Sequence, residues 1–134
     1  MANIEEIEGI GGTYGAKLAE AGVKTTEGLL AAAGSKKGRE ELSGKTGISE
    51  THLLEWVNRA DLMRVKGVGS EYSDLLEAAG VDSPAELAQR NAANLTAKMA
   101  EINEAKNLVR RVPTESEVEG WIESAKTLDK VVTH

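Results

Sequence analysis

The sequence contains no cysteine, and only two histidines occur among its 134 residues. The absence of cysteine excludes disulfides, thiolate metal sites and thiol catalysis together. It is also compatible with a reducing cytoplasm, which is where we expect the protein to act. The two histidines, His52 and His134, are widely separated and suggest no set of metal ligands. We therefore predict no metal site and no catalytic residue of these types.

Long apolar runs are missing as well. No stretch approaches the ~18–20 apolar residues that a membrane-spanning helix needs. The first ten residues, MANIEEIEGI, are acidic, whereas a secretory signal peptide begins with basic residues. We therefore expect a soluble, unexported protein without a membrane partner.

Aromatic residues are scarce, with two tyrosines, two tryptophans and no phenylalanine. Alanine and leucine must therefore fill the interior, which favours closely packed helices and predicts an all-α fold. A unit of about 60 residues has only a marginal core of its own. For a chain of 134 residues we therefore expect two small units that share one core.

An internal repeat at an offset of 58 residues organises the chain. Residues 8–23, EGIGGTYGAKLAEAGV, match residues 66–81, KGVGSEYSDLLEAAGV, at Gly9/Gly67, Gly11/Gly69, Tyr14/Tyr72, Leu18/Leu76, Gly22/Gly80 and Val23/Val81. We call residues 9–12 the first glycine turn and residues 67–70 the second. Each turn is predicted to join two helices, with positive φ at Gly11 and Gly69 and left-handed helix caps at Gly22 and Gly80.

Residues that favour the N-cap position indicate where further helices begin: Thr25 or Thr26, Ser49, Ser83, Asn94 and Thr114. Pro84 and Glu86 strengthen the start at Ser83, and Glu117 completes a capping box with Thr114. Trp56 and Trp121 fall on the apolar faces of two of these helices, so core packing is their expected role.

The repeat predicts two parts, residues 1–64 and residues 65–134, packed into one cooperative helical domain. Residues 35–47, SKKGREELSGKTG, are predicted to form a basic loop with a short polar helix and no counterpart in the second part. The helix over residues 95–109 is then the counterpart of the one that contains Trp56. The last helix, which begins after Thr114, is predicted to cap the end of the compact domain.

The two turns share a pattern of hydrophobic, glycine, hydrophobic and glycine followed by a helix, as in IEGIGGTYGAKL and VKGVGSEYSDLL. This pattern resembles the helix-hairpin-helix motif. Over nearly its full length the chain is similar to a bacterial helix-hairpin-helix family known as a domain of unknown function. The resemblance implies two tandem helix-hairpin-helix repeats. Members of the wider superfamily use the hairpin amides to hold a nucleic-acid phosphate, often with a monovalent cation and nearby Lys or Arg, while others use the hairpin only for protein contacts.

The candidate binding site is therefore the backbone of the two turns. Glycine lets a ligand approach the backbone closely, and the start of the following helix offers free amides at the positive end of its dipole. The candidate residues come from the two turns and the residue after each: Gly9, Gly11, Gly12 and Thr13, and Gly67, Gly69, Ser70 and Glu71. Two such sites could straddle a duplex without reading its bases. No cofactor is expected other than a monovalent cation at a hairpin.

Charge opposes a polyanionic partner. The formal net charge is −6, with five acidic and two basic residues over 1–34 and five acidic and one basic over 67–97. Both turns thus lie in acidic segments, whereas affinity for a duplex depends largely on Lys and Arg. The candidate electrostatic contacts are Lys17, Lys36, Lys37, Arg39, Arg64 and Lys66.

Three functions remain open from the sequence. A non-catalytic protein-interaction or adaptor module fits the acidity and the absence of a catalytic constellation. An accessory, sequence-independent nucleic-acid binder is the alternative, and an enzyme of unrecognised type comes third. The segment GIGGTYG is not expected to bind a dinucleotide, because no apolar strand precedes it.

Overall fold

A computed structural model of the chain describes residues 3–133. A short 3₁₀ helix, Ile4–Glu6, precedes eight α-helices: α1 Gly12–Glu20, α2 Thr26–Ala33, α3 Lys36–Thr46, α4 Glu50–Leu62, α5 Ser70–Ala78, α6 Pro84–Ala88, α7 Ala92–Lys106 and α8 Glu115–Lys126. Residues 3–133 contain no β-strand, only an isolated bridge between Asn3 and Thr25. The predicted all-α fold is confirmed.

The contacts divide the chain into two units. Unit 1 consists of the described residues up to Asp61 together with residues 130–133, and unit 2 is Leu62–Asp129. Unit 1 thus contains α1–α3 and nearly all of α4, and unit 2 contains α5–α8. That the two units fold as one cooperative domain stays a prediction.

Aliphatic side chains, with one tryptophan, form the interior of unit 1. They come from the 3₁₀ helix, the first glycine turn, all four helices and the C-terminal end of the chain. The buried apolar residues are Ile4, Ile7, Ile10, Leu18, Val23, Leu29, Ala33, Leu42, Ile48, Leu53, Trp56, Val57, Ala60 and Val132. Leucine and alanine supply six of these fourteen residues, and isoleucine and valine supply seven. The interior is therefore aliphatic, but leucine and alanine do not dominate it as predicted.

Unit 2 has a core that is also mainly aliphatic and also contains one tryptophan. It comprises Leu62, Val65, Val68, Leu75, Leu76, Ala79, Val81, Leu87, Leu95, Met99, Val109, Val118, Trp121, Ile122 and Ala125. Tyr72 and Leu128 pack against it from partly buried positions. The second glycine turn contributes Val68 to this core, as the first contributes Ile10 to unit 1.

Most helix ends lie where the sequence predicts them. The side chains of Thr25, Ser49, Ser83 and Thr114 each accept a hydrogen bond from an amide three residues on, at 3.0–3.2 Å. Gly22 and Gly80 adopt φ angles of +88° and +91° at the ends of α1 and α5. The predicted start of α7 is wrong, because Asn91 rather than Asn94 caps it and accepts from the Asn94 amide at 3.0 Å.

The prediction for residues 35–47 is right about a polar helix but wrong about the loop around it, because residues 36–46 all belong to helix α3. Ser35 caps its start by accepting from the Gly38 amide at 3.0 Å, and Gly47 ends it with a φ of +75°. Leu42 and Arg39 bury their side chains in unit 1. Tertiary contacts therefore stabilise a helix that its glycines and charges would leave marginal in isolation.

Helix α3 has a counterpart in the second half, contrary to prediction. In unit 1 the helix before α4 ends at left-handed Gly47, and in unit 2 the helix before α8 ends at left-handed Asn107, with φ of +50°. Helix α7 therefore corresponds to α3, and its 15 residues against 11 make it about one turn longer. The second copy of the repeat is not shortened.

Helix α8 takes the role that α4 has in unit 1, and it is not a terminal cap. Its side chains are central to the core of unit 2. The buried residues follow the same spacing in the two helices: Leu53, Trp56, Val57 and Ala60 in α4, and Val118, Trp121, Ile122 and Ala125 in α8. The four-helix order α1–α4 is therefore repeated as α5–α8.

Candidate functional site

Each glycine turn is a tight bend around one left-handed glycine. In the first, the Ile10 amide donates to the Ile7 carbonyl at 3.1 Å and Gly9 has a φ of +95°. The second repeats this geometry, with a φ of +93° at Gly67. A residue with a side chain rarely adopts such φ values, so glycine is required here for conformational reasons.

The predicted positions of positive φ, Gly11 and Gly69, are wrong, because the left-handed residues Gly9 and Gly67 lie two residues earlier in each turn. Their φ angles are −86° and −98°, and both residues are extended N-caps of α1 and α5. A Cβ atom built on either residue meets no atom within 4 Å. The geometric requirement for glycine therefore rests on Gly9 and Gly67.

A tryptophan side chain lies against the left-handed glycine of each turn. A Cβ atom at Gly9 would lie 3.2 Å from Trp56 Nε1, and one at Gly67 would lie 2.9 Å from Trp121 Nε1. Tyr14 packs on Trp56 with ring centroids 5.1 Å apart, as Tyr72 does on Trp121 at 5.0 Å. Both indoles are buried, which confirms the predicted packing role of the tryptophans.

The helices after the two turns begin without a side-chain cap. Gly11 and Gly69 stand at the N-cap positions and have no side chain that could accept from the first amides of α1 or α5. The amides of Gly12 and Thr13, and those of Ser70 and Glu71, have no acceptor within their own helix. Gly11, Gly12, Thr13 and Gly69 are exposed, and Ser70 is half-buried. What these amides bind stays a prediction.

A carboxylate lies beside the first turn of each of these helices. Glu5 packs beside the first turns of α1, where a Cβ at Gly15 would lie 2.9 Å from Glu5 Cγ. Glu71 is exposed in the first turn of α5. The Arg59 guanidinium donates to the Glu8 carbonyl and so ties α4 to the first glycine turn. A ligand at either turn therefore meets backbone donors next to negative charge.

The family model described as a domain of unknown function, DUF4332, matches residues 8–128. The chain belongs to this family. The matched region begins at the first glycine turn and extends past the end of α8, so it includes both turns and all eight α-helices. Neither the curated proteins nor the solved structures gave a significant match.

Arg39 is not the exposed contact that the sequence predicts, although it lies inside the matched region. Its side chain is 4% exposed. One guanidinium nitrogen donates to the carbonyls of Ala33 at 3.1 Å and Gly34 at 2.9 Å, and another donates to the Thr133 carbonyl. The cation therefore satisfies the C-terminal end of α2, where the helix dipole also favours positive charge.

The other predicted cations fall at three separate places along the chain, at Lys17, at Lys36 and Lys37, and at Arg64 and Lys66. Lys36 and Lys37 are exposed at the start of α3, and Lys17 is exposed on α1 with its Nζ 6.0 Å from the Tyr14 ring centroid. Arg64 donates twice to the Asp129 carbonyl, at 3.0 and 3.1 Å. Lys17 and Lys66 are the exposed candidate lysines nearest in sequence to the turns.

A segment that the sequence did not single out is residues 130–133, which follow the family match. We call it the C-terminal strap. The Thr133 amide donates to the Gly34 carbonyl at 2.8 Å, Arg39 binds the Thr133 carbonyl, and Val132 is buried. The strap thereby completes unit 1 with residues that follow unit 2 in the chain.

The described residues show neither a cluster of metal ligands nor a membrane-spanning helix. Within residues 3–133, no group of three or more His, Asp or Glu side chains could hold a metal ion. His52 instead stacks on Trp56, with ring centroids 5.7 Å apart. No helix in the described part of the chain is long and apolar enough to span a membrane.

Unit 2 contains a bidentate ion pair between Arg111 and Glu117. Glu117 lies four residues before Trp121, as His52 lies four residues before Trp56 in unit 1. Two nitrogens of Arg111 contact the two carboxylate oxygens of Glu117 at 2.7 and 2.9 Å. The Arg111 guanidinium, with the Thr114 amide, lowers the pKa of Glu117 to about 2. Glu117 also completes the capping box at the start of α8.

We expect a pH titration to detect this pair. Because the pKa of Glu117 is lower in the folded chain, its contribution to stability is present at neutral pH and is lost as the pH falls towards about 2. NMR of the Glu117 carboxyl carbon should show a midpoint near that value. In Arg111→Gln the midpoint should return towards 4.5. The exposed neighbour Arg110 supplies the control, since Arg110→Gln should leave the midpoint unchanged; equal midpoints in both variants would contradict the pairing.

Proposed function

We propose that the chain is a non-catalytic helix-hairpin-helix binding module whose partner is another protein. In this proposal each unit supplies one helix-hairpin-helix repeat, with α1 and α5 as the helices after the hairpins. The matching geometry of the two turns supports it, because left-handed Gly9 and Gly67 lie at equivalent places above Trp56 and Trp121.

The observation that carries the proposal is the exposed, uncapped start of α1 and of α5 beside carboxylates. A partner that covers these exposed amides displaces water from them and must supply an acceptor in its place. Glu5 and Glu71 disfavour an acceptor of high negative charge density. Carbonyl oxygens of a protein segment meet both conditions, since they accept hydrogen bonds without a formal charge.

A nucleic acid is the second candidate, and the same amides favour it. The positive end of a helix dipole and free N–H groups can hold a phosphate oxygen. Binding of this kind would be independent of sequence, because the contacts are made to phosphates alone. It would be weak, because few exposed lysines near the turns could displace counterions from the duplex.

Proline substitutions test whether the amides bind the partner. Gly12 and Ser70 are the first residues of α1 and α5, where proline removes an N–H group and is otherwise well accepted. In the double variant Gly12→Pro/Ser70→Pro, we expect partner affinity to fall roughly tenfold, about 1.4 kcal/mol. The control Gly12→Ala/Ser70→Ala keeps both amides and should bind like the parent.

The partner for this measurement can be captured with a photo-crosslinking residue in place of Thr13, with Glu101 on α7 as the control position. A protein crosslinked from Thr13 and not from Glu101 is then purified for the affinity measurement. Circular dichroism confirms that each variant is folded. Equal affinity of the proline and alanine variants would show that the amides take no part in binding.

Fluorescence anisotropy with labelled duplex and single strands separates the two candidate partners. For the protein-binding module we expect weak binding at about 50 mM salt that changes little towards 200 mM. Tight binding that collapses over this range would favour the nucleic-acid function. The variant Lys36→Gln/Lys37→Gln would then locate the nucleic-acid contact. If its affinity depends less steeply on salt than that of the parent, the contact is made by α3 and not by the turns.

The proposal requires no catalytic step and no membrane. We further propose a cytoplasmic location, in keeping with the absence of cysteine. A monovalent cation at a hairpin is compatible with the module, and no other cofactor is part of the proposal.

A further inference from the structure

The C-terminal strap occupies a docking site of defined chemistry on unit 1. Val132 is 6% exposed, whereas its neighbour Val131 is 40% exposed. The Thr133 amide donates to the Gly34 carbonyl, and the Thr133 carbonyl accepts from Arg39. We call the site formed by Gly34, Arg39 and the pocket of Val132 the strap socket.

Few interactions hold the strap in place. It is not helical, and of its four residues only Val132 is buried, whereas Lys130, Val131 and Thr133 are exposed. Its two hydrogen bonds and this one valine must offset the conformational entropy lost by ordering four residues. Segments with so few contacts open more easily than the helices of a core.

An open socket would retain strong binding groups. Arg39 would keep its bonds to Ala33 and Gly34 at the end of α2, but the nitrogen that now binds Thr133 would lose its acceptor. The Gly34 carbonyl would lose the donor from the strap. A buried guanidinium without all its acceptors is costly, so the socket favours any extended segment that restores them.

The chemistry of the best occupant follows from these groups. It needs a small β-branched apolar side chain for the pocket, and then one further residue with an amide for Gly34 and an acceptor for Arg39. A terminal carboxylate binds a guanidinium more strongly than a carbonyl does, since its hydrogen bond is charge-assisted. A peptide that ends in Val-Thr with a free carboxylate meets these requirements.

We propose that the strap socket of unit 1 binds the extended C-terminal segment of a partner protein, of the type Val-Thr-carboxylate, in exchange for the chain's own strap. The binding combines backbone hydrogen bonds with one side-chain pocket, as in other sites for extended peptides. It uses neither glycine turn, so it is independent of the function proposed above.

The test uses the full chain and a fluorescein-labelled peptide, Asp-Lys-Val-Val-Thr, with a free carboxylate. In the parent the strap competes with the peptide, so only the open fraction binds. We expect Val132→Asp, which weakens the strap and leaves the socket intact, to bind the peptide at least ~10-fold more tightly than the parent. The same peptide with an amidated C-terminus should bind ~5-fold or more weakly.

Two controls make the result specific. The peptide Asp-Lys-Val-Asp-Thr should not bind, and Val132→Asp/Arg39→Met should lose the gain. In NMR spectra of the folded variant, the peptide should shift the amides of Gly34 and Arg39 and leave those of Gly11 and Gly69 unchanged. Shifts confined to the turns, or equal binding of the free and amidated peptides, would overturn the proposal.

A second variant protects the test against loss of folding. Thr133→Pro removes the amide that donates to Gly34 and adds no charge to the core. Circular dichroism shows which variants are folded. If neither variant folds, an NMR titration of the parent with millimolar peptide decides: shifts at Gly34 and Arg39 support the proposal, and their absence contradicts it.

Discussion

Replacing Gly67 by alanine is expected to reduce the free energy of unfolding by roughly 2–4 kcal/mol. The φ angle of +93° is unfavourable for any residue with a Cβ, and that Cβ would lie 2.9 Å from Trp121 Nε1. Strain and steric contact add, because Trp121 is buried in the core of unit 2 and has little room to move. Urea unfolding followed by far-UV circular dichroism measures the change.

The second glycine turn provides its own control, two residues along. Gly69→Ala should change stability by less than about 1 kcal/mol, because the smaller backbone freedom of the unfolded chain is offset by a poorer N-cap. Gly69 has a φ of −98°, and a Cβ there meets nothing within 4 Å. If the Gly67 and Gly69 variants unfolded at the same urea concentration, the turn geometry described above would be wrong.

The same comparison extends to unit 1. Gly9→Ala should destabilise the chain less than Gly67→Ala, since its Cβ would lie 3.2 Å from Trp56 Nε1 instead of 2.9 Å. Gly11→Ala is the matched control, with a φ of −86° and open space around its Cβ. The four variants should therefore rank in stability according to the φ angle of the glycine and the distance of the added Cβ from an indole nitrogen.

Replacing Arg39 by leucine is expected to cost about 2–4 kcal/mol, although most substitutions of a surface arginine cost far less. Leucine fills part of the same space but leaves the carbonyls of Ala33, Gly34 and Thr133 without the guanidinium donor. Urea unfolding gives the loss of stability. Hydrogen exchange at the Thr133 amide, which donates to Gly34, should become faster as the strap detaches.

Two matched variants show whether the loss belongs to the buried guanidinium. Lys37→Leu, an exposed position two residues earlier on α3, should stay within about 0.5 kcal/mol of the parent. Arg39→Lys keeps the charge but cannot reproduce the planar arrangement of donors, so it should be intermediate. Equal stability of Arg39→Leu and Lys37→Leu would contradict the buried role of Arg39.

Features that depend on neighbouring residues in the sequence were predictable. Side-chain caps at Thr25, Ser83 and Thr114 and left-handed caps at Gly22 and Gly80 act over three to five residues, and the structure has each of them at its predicted place. The scarcity of aromatic residues likewise indicated an all-helical fold. The spacing of glycines located both turns, yet it could not show which glycine carries the positive φ, because φ depends on the path of the whole bend.

Helix α3 shows why the remaining features were not predictable. Its sequence, KKGREELSGKT, contains one leucine and two glycines, which is typical of a loop. In the fold Gly38 allows close approach to α2, since a Cβ there would collide with the Ala32 carbonyl. Arg39 is a buried cation whose hydrogen-bond acceptors come from the end of α2 and from the strap. Contacts with residues distant in the sequence therefore stabilise α3 as a helix, and the local sequence of α3 does not indicate them.

The sequence by itself determined that the chain is helical, that it repeats and that its two glycine turns are equivalent, because these properties follow from composition and local spacing. Only the tertiary structure showed that α8 corresponds to α4, since the match depends on Trp56 and Trp121 lying under the two turns. It alone showed that residues 130–133 complete unit 1. The partners of an extended segment are set by packing against distant residues, and the segment's own sequence does not specify them.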